Sequence, residues 1–157
     1  NARFFAMPVP ILVHIFGASV YCVGGAFQFV RGLRWHRVAG RVIAPCGLAA
    51  ALSGLWMTFP VVDLTAGLRL LFGTAMAVSI VLGFAAIRRR DVLRHRAWMI
   101  RGYAIGLGAG TQALTFGLWA LLFGPPDQLG SAMALGAGWV INLIVAERII
   151  SRIKEHR

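Results

Sequence analysis

The chain has 157 residues, which is enough for one domain, and 59% of them are hydrophobic while 13% are charged. A soluble domain of this length could not cover so much apolar side chain, so the composition excludes an ordinary water-soluble fold. The formal net charge of +11 does not indicate a nucleic-acid-binding protein, because the basic residues form short clusters between apolar runs instead of one basic face. The composition therefore predicts an all-α, polytopic transmembrane helix bundle.

Five apolar runs are long enough to span a bilayer as helices, since about 20 residues cross its hydrocarbon core. The predicted spans cover residues 8–30, 38–59, 66–87, 97–123 and 130–150. Together they make the chain, residues 1–157, a single transmembrane helical domain. Pro45 is expected to kink the second span, and Gly124 with the two prolines after it is expected to end the fourth. Because the sequence begins at Asn1 without the features of a signal peptide, we expect a preceding segment, such as a further membrane helix.

The basic residues are distributed unevenly across the predicted membrane. All of them except Arg3 and Arg69 lie between the first and second spans, between the third and fourth spans, or around the end of the fifth. Because cytoplasmic loops are enriched in lysine and arginine, this distribution predicts an outside N-terminus and a cytoplasmic C-terminus in a bacterial inner membrane. The same clusters predict contact with anionic lipids of the cytoplasmic leaflet. The densest cluster, Arg88–Tyr103, precedes and enters the fourth span.

One face of the first span is polar or small. Its members follow helical spacing, and they are His14, Gly17, Tyr21, Gly24 and Gln28. Lipid cannot satisfy side chains that form hydrogen bonds, so this stripe is expected to face the inside of the bundle.

Glycines recur at regular intervals on the second and fourth spans. On the second span they are Gly40, Gly47 and Gly54. On the fourth span they are Gly102, Gly106 and Gly110, and another face of that span holds Arg101, Gly108, Gln112, Thr115 and Trp119. Small residues at such intervals let membrane helices approach each other closely, so we expect the glycine faces to pack against neighbouring spans.

Two histidines precede spans in similar local sequences. His36 lies before the second span and His95 lies before the fourth, each followed directly by an arginine. One hypothesis is that both imidazoles ligate the iron of a haem b, or hold a quinone headgroup, while nearby arginines bind the haem propionates. The arginines in this hypothesis are Arg37, Arg41, Arg96 and Arg101. The alternative is that these residues anchor the spans at the membrane interface.

His14 lies within the first span, where an ionisable side chain is costly and usually has a partner or a function. It has no second histidine at its depth. A separate cofactor site and a simple hydrogen bond to a neighbouring backbone group or to Tyr21 are both open interpretations.

The fifth span carries two polar residues near its cytoplasmic end, Asn142 and Glu147. A charge in a span should be paired inside the bundle, so we expect them to bind Arg101 or Arg41. The sequence contains no catalytic triad, phosphate-binding loop or pair of catalytic carboxylates, and its cysteines lack the spacing of a zinc site. No catalytic residue is predicted, and whether the protein is an enzyme is left open.

Several motifs along the chain are similar to those of a known family. They are His14, Gln28-Phe29, His36-Arg37-x-x-Gly40-Arg41, His95-Arg96-x-Trp98-Met99-Ile100-Arg101 and Trp139-x-x-Asn142-x-x-x-x-Glu147. Over nearly the whole chain they resemble an uncharacterised family of bacterial integral-membrane proteins, domain of unknown function 2306. The resemblance implies a multi-helix membrane protein and brings no activity with it.

The sequence favours a small inner-membrane protein that binds haem b or a quinone and acts as an electron-transfer or accessory subunit of a membrane redox complex. One alternative is a transporter or channel for small solutes or ions, with a path along the stripe of the first span or along Arg101 and Gln112. Tight packing of those faces would count against this alternative. Another is a purely structural subunit whose glycine faces bind a larger partner.

Overall fold

The structure, a computed structural model, describes residues 8–29 and 36–155. These residues form six α-helices and no strand. The helices are α1 (Pro8–Gln28), α2 (His36–Thr58), α3 (Leu64–Arg88), α4 (Val92–Gly106), α5 (Gly108–Phe123) and α6 (Gln128–Glu155). The prediction of an all-α helix bundle is confirmed.

The helices agree with the five predicted spans, with one correction. Helices α1, α2, α3 and α6 are each long and apolar enough to cross a membrane, and α4 and α5 meet the same test as a pair. The fourth span was predicted to be continuous, but it consists of two helices that meet at Leu107 and are bent by 42°. Large apolar side chains such as Leu12 and Leu121 point outward, at 67% and 82% exposed, as expected for helices that face lipid.

Aspartates begin three of the helices. Asp63, Asp91 and Asp127 each accept a hydrogen bond from the backbone N–H three residues later, at 2.8, 3.0 and 2.7 Å. A carboxylate at this position satisfies an N–H that has no partner within the helix, and it lies at the positive end of the helix dipole. At the end of α5, Gly124 has a φ of +82°, which glycine adopts without strain, so the predicted end of the fourth span is confirmed.

Asp63 is expected to make the stability of the protein depend on pH. Its pKa is lowered from the ordinary value, first by the hydrogen bond from the Thr65 hydroxyl and further by the N–H of Ala66 and the charge of Arg69. A carboxyl group whose pKa is lower in the folded state stabilises the fold above its unfolded-state pKa, and this contribution is lost as the pH falls through the folded-state pKa.

We therefore expect that, at pH values below about 4, the melting temperature of the native protein decreases more than that of Asp63→Asn. The asparagine keeps an acceptor oxygen for the helix N–H but does not titrate. Circular dichroism melts of both proteins in detergent at decreasing pH would measure the difference. A parallel decline of the two melting temperatures would contradict a role for Asp63 ionisation.

Helices α1 to α4 form a four-helix ring. Helix α1 packs against α2 and α4, and α3 packs against the same two helices, so α2 and α4 lie on a diagonal of the ring. Helix α6 packs on α3 and α4 from outside, and α5 packs mainly on α6. The end of the bundle that holds the start of α2, the turn between α3 and α4 and the last turns of α6 is called the arginine-rich end below.

Tyr21 of α1 occupies the centre of this ring and is only 1% exposed. Its ring fills the space beside Gly47 of α2 and Gly106 of α4, where a Cβ atom would lie too close to it. The hydroxyl group of Tyr21 lies beside Gly102, and the ring packs edge-on against Tyr103, with 5.9 Å between centroids. The absence of side chains at the glycines is therefore what allows a tyrosine to fit between the helices.

The predicted stripe of α1 faces the bundle. His14, Tyr21 and Gln28 lie, in that order, against three glycines of the antiparallel helix α2. These glycines are Gly54, Gly47 and Gly40. The expected close packing is confirmed for all three, and on α4 for Gly102 and Gly106. It is wrong for Gly110, because a Cβ atom there would meet open space.

Candidate functional site

The break in the fourth span is held by side chains from other helices. Helix α4 ends at Gly106, and a helix end leaves its last carbonyl groups without N–H partners in the same helix. Asn142 Nδ2 donates to the carbonyl oxygen of Ala104 at 3.0 Å, and Trp139 Nε1 donates to that of Ile105 at 3.2 Å. The thiol of Cys22 donates to the carbonyl oxygen of Gly106 at 3.5 Å. These three side chains, called the break donors below, replace the hydrogen bonds that water would provide outside a membrane.

Asn142 connects both halves of the fourth span to α6. In addition to its bond with Ala104, its Oδ1 accepts a hydrogen bond from the Thr111 hydroxyl of α5 at 2.8 Å. The expected pairing of Asn142 with an arginine is therefore wrong. A neutral amide can donate and accept at the same time, and here it does so between a freed carbonyl and a hydroxyl.

The expected pairing of Arg101 with Glu147 is confirmed. The Arg101 Nε and Nη2 atoms lie 2.5 and 2.9 Å from the two carboxylate oxygens of Glu147, which is a bidentate ion pair between α4 and α6. The guanidinium group also lies over the ring of Trp98, 4.9 Å from its centroid, at a distance typical of a cation–π contact. Because the Arg101 side chain is about a quarter exposed and that of Glu147 about half exposed, the pair fixes geometry more than it adds stability.

Two of the described histidines, His14 and His95, donate to the backbone of a neighbouring helix. His14 Nδ1 lies 2.8 Å from the carbonyl oxygen of Ala50, and His95 Nδ1 lies 2.8 Å from that of Gly83. A carbonyl oxygen can only accept, so each Nδ1 carries a proton; in a neutral imidazole this arrangement leaves a free electron pair on Nε2. One of the two open interpretations of His14, a hydrogen bond to a neighbouring backbone group, is thus confirmed.

The predicted ligand residues fall into three places. His14 is half-buried on α1, in the half of the bundle away from the arginine-rich end. A second group is exposed at the start of α2 and consists of His36, Arg37 and Arg41. A third group lies on α4 and consists of His95, Arg96 and Arg101. His36 and His95 lie on helices that face each other across the ring and do not pack directly together. The joint ligation of one haem by these two histidines stays a prediction. Among the described residues, no group of three or more His, Cys, Asp or Glu side chains is placed to hold a metal ion.

A groove of about 460 Å³ opens between α4 and α6 at the arginine-rich end. Its basic lining residues are Arg94, Arg96, Arg101 and Lys154. The rest of the lining consists of Asp91, Leu93, Ala97, Trp98, Ile150 and Ile153. We call this the basic groove. It joins two of the predicted site residues, Arg96 and Arg101, but His95 faces away from it toward Gly83 of α3.

The faces that a transport path would need are filled where the structure describes them. The stripe of α1 packs into the glycines of α2. Arg101 is bound to Glu147, while Gln112 donates to the carbonyl oxygen of Leu135 at 3.1 Å and packs against Gly138. This tight packing counts against the transporter alternative.

A comparison with family models gives one match. The model described as "Predicted membrane protein (DUF2306)" covers residues 11–150. The chain belongs to the DUF2306 family. No curated protein and no solved structure matches it. The match includes both halves of the fourth span and all three break donors, so this DUF2306 protein is a membrane protein whose family region contains the break.

The role of Trp139 was not predicted, and neither was the role of Cys22. The available signal was an indole and an amide three residues apart in the apolar first part of the helix, at Trp139 and Asn142. Buried side chains of these types need hydrogen-bond partners. The Gly106-Leu107-Gly108 sequence in the middle of a long apolar run, read together with those donors, would have indicated the break in this DUF2306 protein.

Proposed function

We propose that this DUF2306 protein binds haem b through His95 and serves as an electron-transfer or accessory subunit of a membrane redox complex. The observation that supports this best is the hydrogen bond from His95 Nδ1 to the carbonyl oxygen of Gly83. It selects the tautomer in which Nε2 holds a free electron pair and orients the ring. Histidines that ligate metals are commonly held by such a bond from their other nitrogen.

The same bond favours haem over a quinone. A quinone carbonyl needs a hydrogen-bond donor, but a neutral imidazole whose only N–H is given to Gly83 has none left on Nε2. Iron, in contrast, needs the electron pair that Nε2 retains. Of the two cofactors expected from the sequence, haem b is therefore the one proposed.

The remaining predicted residues have proposed roles around this ligand. His36 is the proposed second axial ligand, and His14, which has the same hydrogen-bond arrangement on α1, is proposed as a separate ligand site. Guanidinium groups bind carboxylates through paired hydrogen bonds, so arginines are the proposed partners of the propionates. They are Arg37, Arg41 and Arg96, whereas Arg101, the fourth arginine of the hypothesis, is held by Glu147. We further propose that the arginine-rich end lies in the cytoplasm of a bacterial cell, with the helices in its inner membrane.

The test is an absorption spectrum of protein purified in detergent from cells supplied with haem precursor. We expect a Soret band that is lost in His95→Gln, because glutamine is able to donate to Gly83 but is a poor iron ligand. His156→Ala, which removes a histidine outside the predicted spans, is the control and should keep the band. If His36 is the second ligand, His36→Ala should change the spectrum from six-coordinate to five-coordinate without abolishing it.

Colourless protein that also fails to take up added haemin would overturn the proposal. So would a Soret band of full intensity in His95→Gln. A redox complex containing this chain would in addition be expected to co-purify with it under mild detergent conditions.

A further inference from the structure

The basic groove combines uncompensated positive charge with apolar lining residues. Arg101, one of its four basic residues, is neutralised by Glu147. Among the described residues, Arg94, Arg96 and Lys154 make no ion pair. The carboxylate of Asp91, which also lines the groove, is used as the N-terminal cap of α4 through the N–H of Arg94. The groove therefore presents more cationic than anionic groups to a ligand.

Two apolar lining residues, Ala97 and Ile150, lie deeper along the helices than the outermost charges of the groove. Ala97 of α4 follows Arg94 by nearly one turn toward the middle of the span, and Ile150 of α6 precedes Lys154 by about one turn in the same direction. Trp98, which contacts the Arg101 guanidinium, lines the groove as well. A ligand that fits this gradient has an anionic head at the end of the bundle and an apolar tail that points into the membrane.

We propose that the basic groove binds one anionic glycerophospholipid, with its phosphate between Arg94 of α4 and Lys154 of α6 and an acyl chain over Ala97 and Ile150. Basic pockets between membrane helices bind anionic lipid headgroups by this chemistry. Membrane lipids have access to the groove because it lies at the end of two membrane-spanning segments. A free phosphate or a nucleotide has no apolar tail to cover Ala97 and Ile150.

The lipid contacts proposed here do not involve the proposed iron ligand, because the His95 side chain binds α3 while the basic groove lies between α4 and α6. Of the proposed propionate partners, Arg96 alone lines the groove, and it is not one of the two residues placed at the lipid phosphate. The lipid would connect α4 to α6 at the same end as the Arg101 and Glu147 ion pair. It would thus add a second, lipid-mediated link between these helices.

The experiment is native mass spectrometry of the protein in detergent after incubation with phosphatidylglycerol, phosphatidylcholine or inorganic phosphate. We expect one phosphatidylglycerol to be retained, and we expect Arg94→Gln/Lys154→Gln to lower its retention about thirtyfold. The matched control is Arg88→Gln/Arg89→Gln, which removes the same charge from exposed residues of the neighbouring turn and should keep the lipid. Phosphatidylcholine should be retained weakly, and inorganic phosphate should not displace the bound lipid.

Equal loss of lipid in the two double variants would overturn the proposal, because it would indicate a general attraction to positive charge. Equal retention of phosphatidylcholine, or displacement by inorganic phosphate, would also overturn it. The readout is the mass of the bound lipid and does not depend on haem. Protein that binds no haem could therefore still retain the lipid. Protein that does not retain the lipid could still show a Soret band, so the two proposals can fail independently.

Discussion

Replacing Gly47 with leucine is expected to destabilise the protein by about 3 kcal/mol or more, which is the upper range for overfilling a packed core. A Cβ atom at Gly47 would overlap the ring of Tyr21. The ring has no free space to move into, because Gly106 and Met76 enclose it from α4 and α3. We expect Gly47→Leu to give little folded protein in detergent, as measured by the size-exclusion profile of a fluorescent fusion.

The control for this experiment is Gly117→Leu, because a Cβ atom at Gly117 would meet nothing within 4 Å. It should leave the profile and the melting temperature almost unchanged. A double variant, Gly47→Ala with Tyr21→Leu, would show whether the tyrosine is the obstacle. The smaller leucine should reduce the penalty of the added methyl group. If Gly117→Leu is as damaging as Gly47→Leu, the central position of Tyr21 is not what decides stability.

Replacing Trp139 with alanine is expected to cost about 3–5 kcal/mol, the usual range for truncating a packed tryptophan. Trp139 stacks on Phe72 of α3 with 4.5 Å between ring centroids, fills the space beside Gly108 and donates to Ile105 at the break. Its loss would leave a cavity between α3 and α6 together with an unpaired carbonyl. Thermal or denaturant unfolding in detergent would measure this effect.

Two further tryptophan variants separate the contributions. Trp56→Ala removes the same side chain from a position that is 65% exposed on α2, so it should change stability little. Trp139→Phe keeps a stacked ring but removes the N–H, and it should cost about 1 kcal/mol, near the value of one hydrogen bond in a membrane protein. Equal stability of Trp139→Ala and Trp56→Ala would show that the break does not depend on Trp139.

The spans could be predicted because hydropathy is averaged over about 20 residues, so a single polar residue changes the average little. The pairing of Arg101 with Glu147 could be predicted because a charge in a span needs an opposite charge, and Glu147 is the only acidic residue within the fifth predicted span. The packing of Gly47 could be predicted from its interval to Gly40 and Gly54. In each case the physical cause is visible in the local sequence.

The break at Leu107 could not be predicted from the fourth span alone. Its residues are as apolar as those of the other spans, and the bend is stabilised by donors on α6, more than 30 residues later in the chain. Gly110 has the same spacing as Gly102 and Gly106, but it lies beyond the break, where a Cβ atom would meet nothing within 4 Å. The orientation of His95 likewise depends on the position of Gly83 on another helix.

The position of two break donors on the last helix has a consequence for how the chain is assembled. Trp139 and Asn142 are synthesised after Ala104 and Ile105, so these two carbonyls lack their α6 donors until the last helix has been made. An unbent helix would satisfy those carbonyls with its own N–H groups, and it is the arrangement that hydrocarbon favours until other donors arrive. We therefore expect the fourth span to insert as a straight helix and to bend when α6 docks against it.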